Sequence, residues 1–207
     1  MQIKICGIKD LKSGEASIIN DADYLGFNFI QSSKRVISPD NSLDIINNLR
    51  KKFPKKKFKC VGLFDQELFN SIEKISEYSK LDFVQICGEE DIDTPVPSMK
   101  QIRIEAKDTD ELIIKKIQDS LMIHNYVILD TYKENALGGT GEKFNWNDFR
   151  NSINTTNVFT SGGLNPENIL DLLNNFSPFG VDIASGVETN GKKDPDKIKR
   201  VIELSKK

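Results

Sequence analysis

Val158-Phe159-Thr160-Ser161-Gly162-Gly163-Leu164-Asn165-Pro166 reads as a short β-prone run, a Ser-Gly-Gly turn and an Asn-Pro pair. Proline suits the first turn of a helix, so the stretch is a strand, a tight turn and a helix start in sequence. Val181-Asp182-Ile183-Ala184-Ser185-Gly186 then repeats the strand and its Ser-Gly turn. Upstream lie six more short runs of the same kind, at 3–6, 24–29, 58–64, 83–87, 101–104 and 126–130, which makes eight in all. They show little polar alternation, as expected of parallel strands covered on both faces. Between them the spacing of apolar residues predicts helices over 39–52, 66–79, 109–120, 166–176 and 194–204. After Cys87, Pro95 and Pro97 leave room for little more than a turn or a short helix.

Eight strand–helix units in 207 residues predict an α/β fold, a (βα)8 TIM barrel formed as a single domain over 1–207. A doubly wound open sheet is the competing architecture. Periodicity does not separate the two; the eight-fold count favours the barrel.

Bulk composition narrows the function. With 38% hydrophobic and 29% charged residues the chain is a folded domain rather than a disordered one. A net charge of -2 gives no reason to expect nucleic acid. The basic run from Lys51 to Lys59 joins a helix to the next strand, which in a barrel is the face away from the active site; we read it as a solvated loop. No apolar run approaches the roughly 20 residues that span a bilayer. The N-terminal residues do not form a signal peptide, so a cytoplasmic protein with no membrane partner is expected. Three cysteines, Cys6, Cys60 and Cys87, read as reduced thiols. With one histidine, His124, and no CxxC, no metal site is expected. Any proton transfers then fall to carboxylates, thiols or amines.

In this fold catalytic groups sit at the C-terminal ends of the strands. Two of those ends, Ser161-Gly162-Gly163-Leu164 and Ser185-Gly186-Val187-Glu188, suit a phosphate, because glycine lets backbone N–H groups approach an anion. A plain tight turn is the alternative for either one alone. The loop after the sixth strand, from Thr131 to Phe144 with Gly138-Gly139-Thr140-Gly141, is long enough for a lid or for a surface loop. Cys6 ends the first strand and Asp130 the sixth. Singly, Cys6 reads as a buried small residue and Asp130 as a turn cap; together at one barrel mouth they suit a base and an acid. A thiol base needs its pKa lowered by a cation or a helix N-terminus, and a carboxylic acid needs its pKa raised by burial. Arg35, just after the second strand, has a planar fork suited to carboxylate or phosphate, with a surface arginine as the alternative.

The motifs Lys4-Ile5-Cys6-Gly7-Ile8, Ser33-Lys34-Arg35-Val36-Ile37-Ser38-Pro39, Val84-Gln85-Ile86-Cys87-Gly88-Glu89, Leu129-Asp130-Thr131, Gly162-Gly163-Leu164-Asn165-Pro166 and Gly180-Val181-Asp182-Ile183-Ala184-Ser185-Gly186-Val187-Glu188 follow one another in order. Along nearly its whole length the sequence resembles the phosphoribosylanthranilate isomerase family. The resemblance implies an Amadori rearrangement of N-(5-phosphoribosyl)anthranilate in tryptophan biosynthesis, with no cofactor or metal. It implies Asp130 as the general acid that opens the ribose ring and Cys6 as the general base at C2′. Arg35 would hold the anthranilate carboxylate, Gln85 would line the substrate site, and Gly162, Gly163, Ser185 and Gly186 would hold the phosphate. Asp182 would contact the sugar or order the phosphate loop. The partner implied is a small phosphorylated substrate, and the chain is expected as a monomer or homodimer.

One position departs from the family pattern. Cys87 stands where a histidine is usual, in Gln85-Ile86-Cys87-Gly88. A thiol does not replace an imidazole as a two-ended hydrogen-bonding group, so we read that histidine as supporting. Two rival functions remain: a non-catalytic phospholigand-binding barrel, supported by Cys87, and a broader aminoaldose isomerase, opposed by a thiol at Cys6 where paired aspartates are usual.

Overall fold

Alternation along one strand organises the molecule. In β1 (Gln2–Cys6), Ile3 and Ile5 join the large apolar core between the strands and the helices, so Lys4 and Cys6 point to the opposite face. β2 (Tyr24–Asn28), β3 (Lys59–Phe64), β4 (Phe83–Ile86), β5 (Ser98–Arg103), β6 (Tyr126–Asp130), β7 (Val158–Ser161) and β8 (Gly180–Ile183) follow. They form a closed parallel barrel in chain order. Closure is made by β8 against β1, with Lys4 opposite Asp182. The computed structural model describes residues 1–65, 69–89, 91–92, 94–130 and 145–206. Inside the barrel, Tyr24, Val61, Met99, Ile128 and Phe159 form a second apolar cluster that plugs the interior. The barrel is therefore a packed core that opens at its C-terminal mouth.

The helices are α1 (Leu11–Ile19), α2 (Pro39–Lys52), α3 (Phe69–Tyr78), α4 (Asp110–Leu121), α5 (Arg150–Ile153), α6 (Ile169–Asn175) and α7 (Pro195–Ser205). Three begin where the sequence places a cap: Ser38, Thr109 and Asp194 each accept a backbone N–H of the first turn. α2 buries Ser42, Ile45, Ile46 and Leu49, one face of a 3.6-residue period. α1 escapes a search for apolar periodicity because its buried side includes Ser13, Gly14 and Ser17. A Cβ on Gly14 would lie 2.7 Å from Leu49 Cδ1, so the small residues let α1 and α2 pack closely.

Among the described residues no helix joins β4 to β5, in keeping with the expectation of little more than a turn after Cys87. Lys100 instead ties that connection to β5, donating to the carbonyls of Gly88 (2.9 Å) and Glu89 (2.8 Å) and pairing with Asp91 at 3.2 Å. β5 begins at Ser98 rather than 101, because Ser98 and Lys100 are polar but satisfied, Ser98 by His124 Nδ1 at 2.8 Å. α6 begins at Ile169 rather than 166. Asn165 and Asn168 exchange side-chain-to-backbone bonds that hold 165–168 as a turn first. The expected helix over 66–79 is seen from Phe69, and the glycine loop of 131–144 lies outside the described residues. Among the described residues no helix is long and apolar enough to cross a membrane.

Candidate active site

Cys6 sits at the C-terminal end of β1, opposite Gly26 of β2. A Cβ on Gly26 would lie 2.8 Å from Cys6 Sγ, so the glycine supplies the space the sulfur occupies. Beneath it, Lys4 Nζ donates to Asp182 Oδ2 at 2.9 Å, with the lysine side chain fully buried. Burial pushes the Cys6 thiol above its ordinary value, and the Asp182 charge adds to this, while Lys4 and Lys193 pull it down. The lowering that a thiol base needs is therefore outweighed here by burial, although two cations that act in that direction stand beside the sulfur.

Asp130 ends β6. Gln101 Nε2 donates to Asp130 Oδ2 at 2.9 Å, and Gln85 Nε2 donates to Gln101 Oε1 at 3.2 Å and reaches Cys87 Sγ at 3.5 Å. A line of polar side chains thus runs across three strands from position 87 to Asp130. Burial pushes the Cys87 thiol up to about 12, so it enters this line as a neutral group. Only β7 and β8 separate the strands that end in Asp130 and Cys6.

Arg35 folds back over Gly7, where a Cβ would lie 2.5 Å from Arg35 Cδ. Its Nε and Nη2 donate to the two oxygens of Glu188, at 2.7 and 3.0 Å. Glu188 also accepts from Lys193 Nζ at 2.8 Å, and Lys193 donates to the Ala184 carbonyl at 2.8 Å. Burial raises the Glu188 carboxyl, but Arg35 and Lys193 outweigh it and hold it down to about 2. Glu188 and Lys193 come from a hairpin, β9 (Glu188–Thr189) and β10 (Lys192–Lys193), turned by Asn190 and Gly191 at φ 53° and 73°. Glu188 takes the side-on edge of the guanidinium. The end-on edge, Nη1 with the second Nη2 hydrogen, is the one a further carboxylate would use.

The two glycine loops lock together. Gly162 and Gly163 both adopt positive φ, 94° and 69°, which side chains rarely accept. Asn165 and Asn168 donate to the Gly163 carbonyl at 3.2 and 3.0 Å and set the loop's shape. A Cβ on Gly186 would lie 1.8 Å from the Leu164 carbonyl oxygen, so the backbones after β7 and β8 touch. Ser185–Val187 is a single 3-10 turn facing that junction. The arrangement exposes backbone rather than side chains, the form an anion cradle takes.

The chain as a whole matches a known family. The model of N-(5'phosphoribosyl)anthranilate (PRA) isomerase matches residues 3–204. The chain belongs to that family. It is 37% identical to the N-(5'-phosphoribosyl)anthranilate isomerase of Oceanobacillus iheyensis, over 98% of this chain and 95% of that one. Phosphoribosyl anthranilate isomerase from Thermotoga maritima is similar in structure, with a TM-score of 0.82, 31% identity, and coverage of 100% and 98%. A PRA isomerase solved with reduced 1-(o-carboxyphenylamino)-1-deoxyribulose 5-phosphate has a TM-score of 0.77 at 30% identity, over 100% and 98%.

In this PRA isomerase family member, Cys6, Gln85, Asp130, Gly162, Gly163, Asp182, Ser185 and Gly186 lie on the barrel strands or on the loops that leave their C-terminal ends. Arg35 follows β2, and its fork is engaged by the protein's own Glu188. Asp182 is tied to Lys4, not to the glycine loops. Sequence reasoning gave no role to Lys4, Gln101, Glu188 or Lys193. Asn190-Gly191, a pair suited to a tight hairpin turn, is a local signal from which the hairpin carrying Glu188 and Lys193 could have been found.

Proposed function

We propose that this chain converts N-(5-phosphoribosyl)anthranilate to the 1-deoxyribulose 5-phosphate product, with Asp130 as the acid and Cys6 as the base. The observation that carries the reading is the placement of Cys6 and Asp130 at the ends of β1 and β6, with the two interlocked glycine loops on the strands between them. The compound bound to the solved relative has a phosphate at one end and a carboxylate at the other, and the mouth offers a partner for each. The phosphate goes to the backbone of Gly162, Gly163, Ser185 and Gly186, and the carboxylate to the end-on edge of Arg35. Gln85 lines the floor between them. Among the described residues the buried Asp182 Oδ1 has no hydrogen-bond partner, and it takes a sugar hydroxyl.

The chemistry then follows in order. Asp130 gives its proton to the ring oxygen as the C1′–O bond breaks, and the anthranilate nitrogen lone pair forms the iminium. Cys6, as thiolate, takes the C2′ proton. The C–H electrons form the C1′–C2′ double bond and neutralise the iminium nitrogen. The resulting enolamine tautomerises to the ketone. The test is the loss of substrate fluorescence when the purified chain meets freshly generated phosphoribosylanthranilate in chelator. Consumption with turnover supports the reading; saturable binding without consumption favours a phospholigand-binding barrel.

Two variants test the binding groups. Gly186→Ala forces the two loops apart, and KM is expected to rise more than about tenfold, a cost of about 1.4 kcal/mol, read from steady-state kinetics. Arg35→Ala is expected to raise KM by more than about tenfold. Glu188→Gln keeps the fork's partner but not its charge and gives a smaller rise, because charge-assisted bonds are about twice as strong as neutral ones. Equal KM values in all three proteins would remove the carboxylate clamp.

A further inference from the structure

Lys4 is among the largest fully buried side chains of the described residues, and it carries a charge. Burying an ammonium costs several kcal/mol, and an apolar pair often fills the same space with no loss of stability. Asp182 offsets part of that cost through its 2.9 Å bond, yet Asp182 Oδ1 is left without a partner. The pair is therefore not completed for stability alone. Its other neighbour is Cys6, two residues along β1 and on the same face. Lys4 acts on the sulfur through its charge, and burial, which would strip the ammonium of its proton, is outweighed by Asp182 and Cys6. Among the described residues the charged and titratable groups that face Cys6 are Lys4 on β1, Asp182 on β8, Lys193 on β10, Arg35 after β2 and Cys87 after β4. Arg35 and Lys193 share Glu188, whereas Lys4 has Asp182 and the thiol.

We propose that Lys4 is a positioning residue of the reaction, its ammonium held by Asp182 beside Cys6 to stabilise the thiolate that removes the C2′ proton. Lys4 keeps its own proton throughout; the thiol gives its proton to solvent water at the barrel mouth before the thiolate takes the substrate proton. The inference rests on the reading of Cys6 as the base. It also explains why a barrel interior that could be filled with apolar side chains holds an ion pair at this level. Asp182 has two tasks, one oxygen for Lys4 and the other for the substrate.

The test is the pH dependence of Cys6 alkylation by iodoacetamide, read by peptide mapping in intact wild type, Lys4→Met, Lys4→Gln and Lys4→Arg, with folding checked by circular dichroism. Lys4→Met is expected to move the midpoint up by about 1–3 pH units, the usual effect of losing an adjacent opposite charge. Lys4→Gln, polar but uncharged, is expected to move it in the same direction. Lys4→Arg keeps the charge and stays near wild type. A residue that only fills space would not separate the charged variant from the neutral ones. Should Lys4→Met not fold, Lys4→Gln decides: an unmoved midpoint in a folded neutral variant overturns the proposal, as does an equal shift in Lys4→Arg. Turnover of Cys6→Ala is measured separately. Wild-type turnover there would overturn the base reading itself, while the alkylation midpoints still report whether Lys4 stabilises the thiolate.

Discussion

Cys6→Ala slows turnover of phosphoribosylanthranilate by about 10²–10⁴-fold, the range for loss of a positioned acid or base, with KM little changed. The substitution deletes only the sulfur, from a pocket opened by Gly26. The stability cost is about 1 kcal/mol, the scale of one buried methylene, and thermal unfolding checks it. The loss is chemical because the described groups beside Cys6 are poor substitutes for it. Burial pushes Cys87 up to about 12, so it stays a thiol at neutral pH. Lys4 is held as a cation by Asp182, and that carboxylate is engaged by the ammonium in turn. Steady-state rates by fluorescence, beside circular dichroism, read the effect. A folded Cys6→Ala protein with wild-type rate removes Cys6 from the mechanism.

Asp130→Asn loses a comparable factor for a different reason. The amide keeps the size of the side chain and can still accept from Gln101, so the line from Gln85 through Gln101 is preserved. What it lacks is a proton to give to the ring oxygen. The expected loss is again about 10²–10⁴-fold in kcat, with substrate still bound. Substrate binding by the variant, followed by fluorescence under single-turnover conditions, separates lost chemistry from lost affinity. Failure to bind would make Asp130 a binding group rather than an acid.

The strand ends were legible because parallel strands covered on both faces carry nearly continuous apolar runs, and each run stops where the chemistry begins. Cys6, Asp130 and the glycine turns could be named from that alone. Their partners could not. Lys4 and Asp182 are 178 residues apart, and Arg35 and Glu188 are 153 apart. Only closure of β1 on β8 brings each pair together, and no local pattern encodes which lysine a given aspartate will meet. Lys4 was hidden further because it interrupts an apolar run without ending it. Helix α1 was hidden by Ser13, Gly14 and Ser17, small residues chosen for close packing on α2 rather than for hydrophobicity. The missing helix between β4 and β5 follows from Pro95 and Pro97. What the prolines did not reveal is the polar replacement built by Lys100, Asp91 and His124. Arg35 was read as open to substrate; the structure gives half of its fork to the hairpin, which makes it a fixed receptor rather than a mobile one.

The central claim is that Asp130 and Cys6 serve two successive steps, ring opening and then proton removal. The most direct test is kcat/KM of the Asp130→Asn, Cys6→Ala double variant against the two single variants. If each group stabilises a different transition state, the higher barrier alone limits the rate. The double variant then runs no slower than the slower single, by the non-additivity of groups in one pathway. Losses that multiply would place both groups in one transition state and contradict the account, as would near wild-type turnover in either folded single variant.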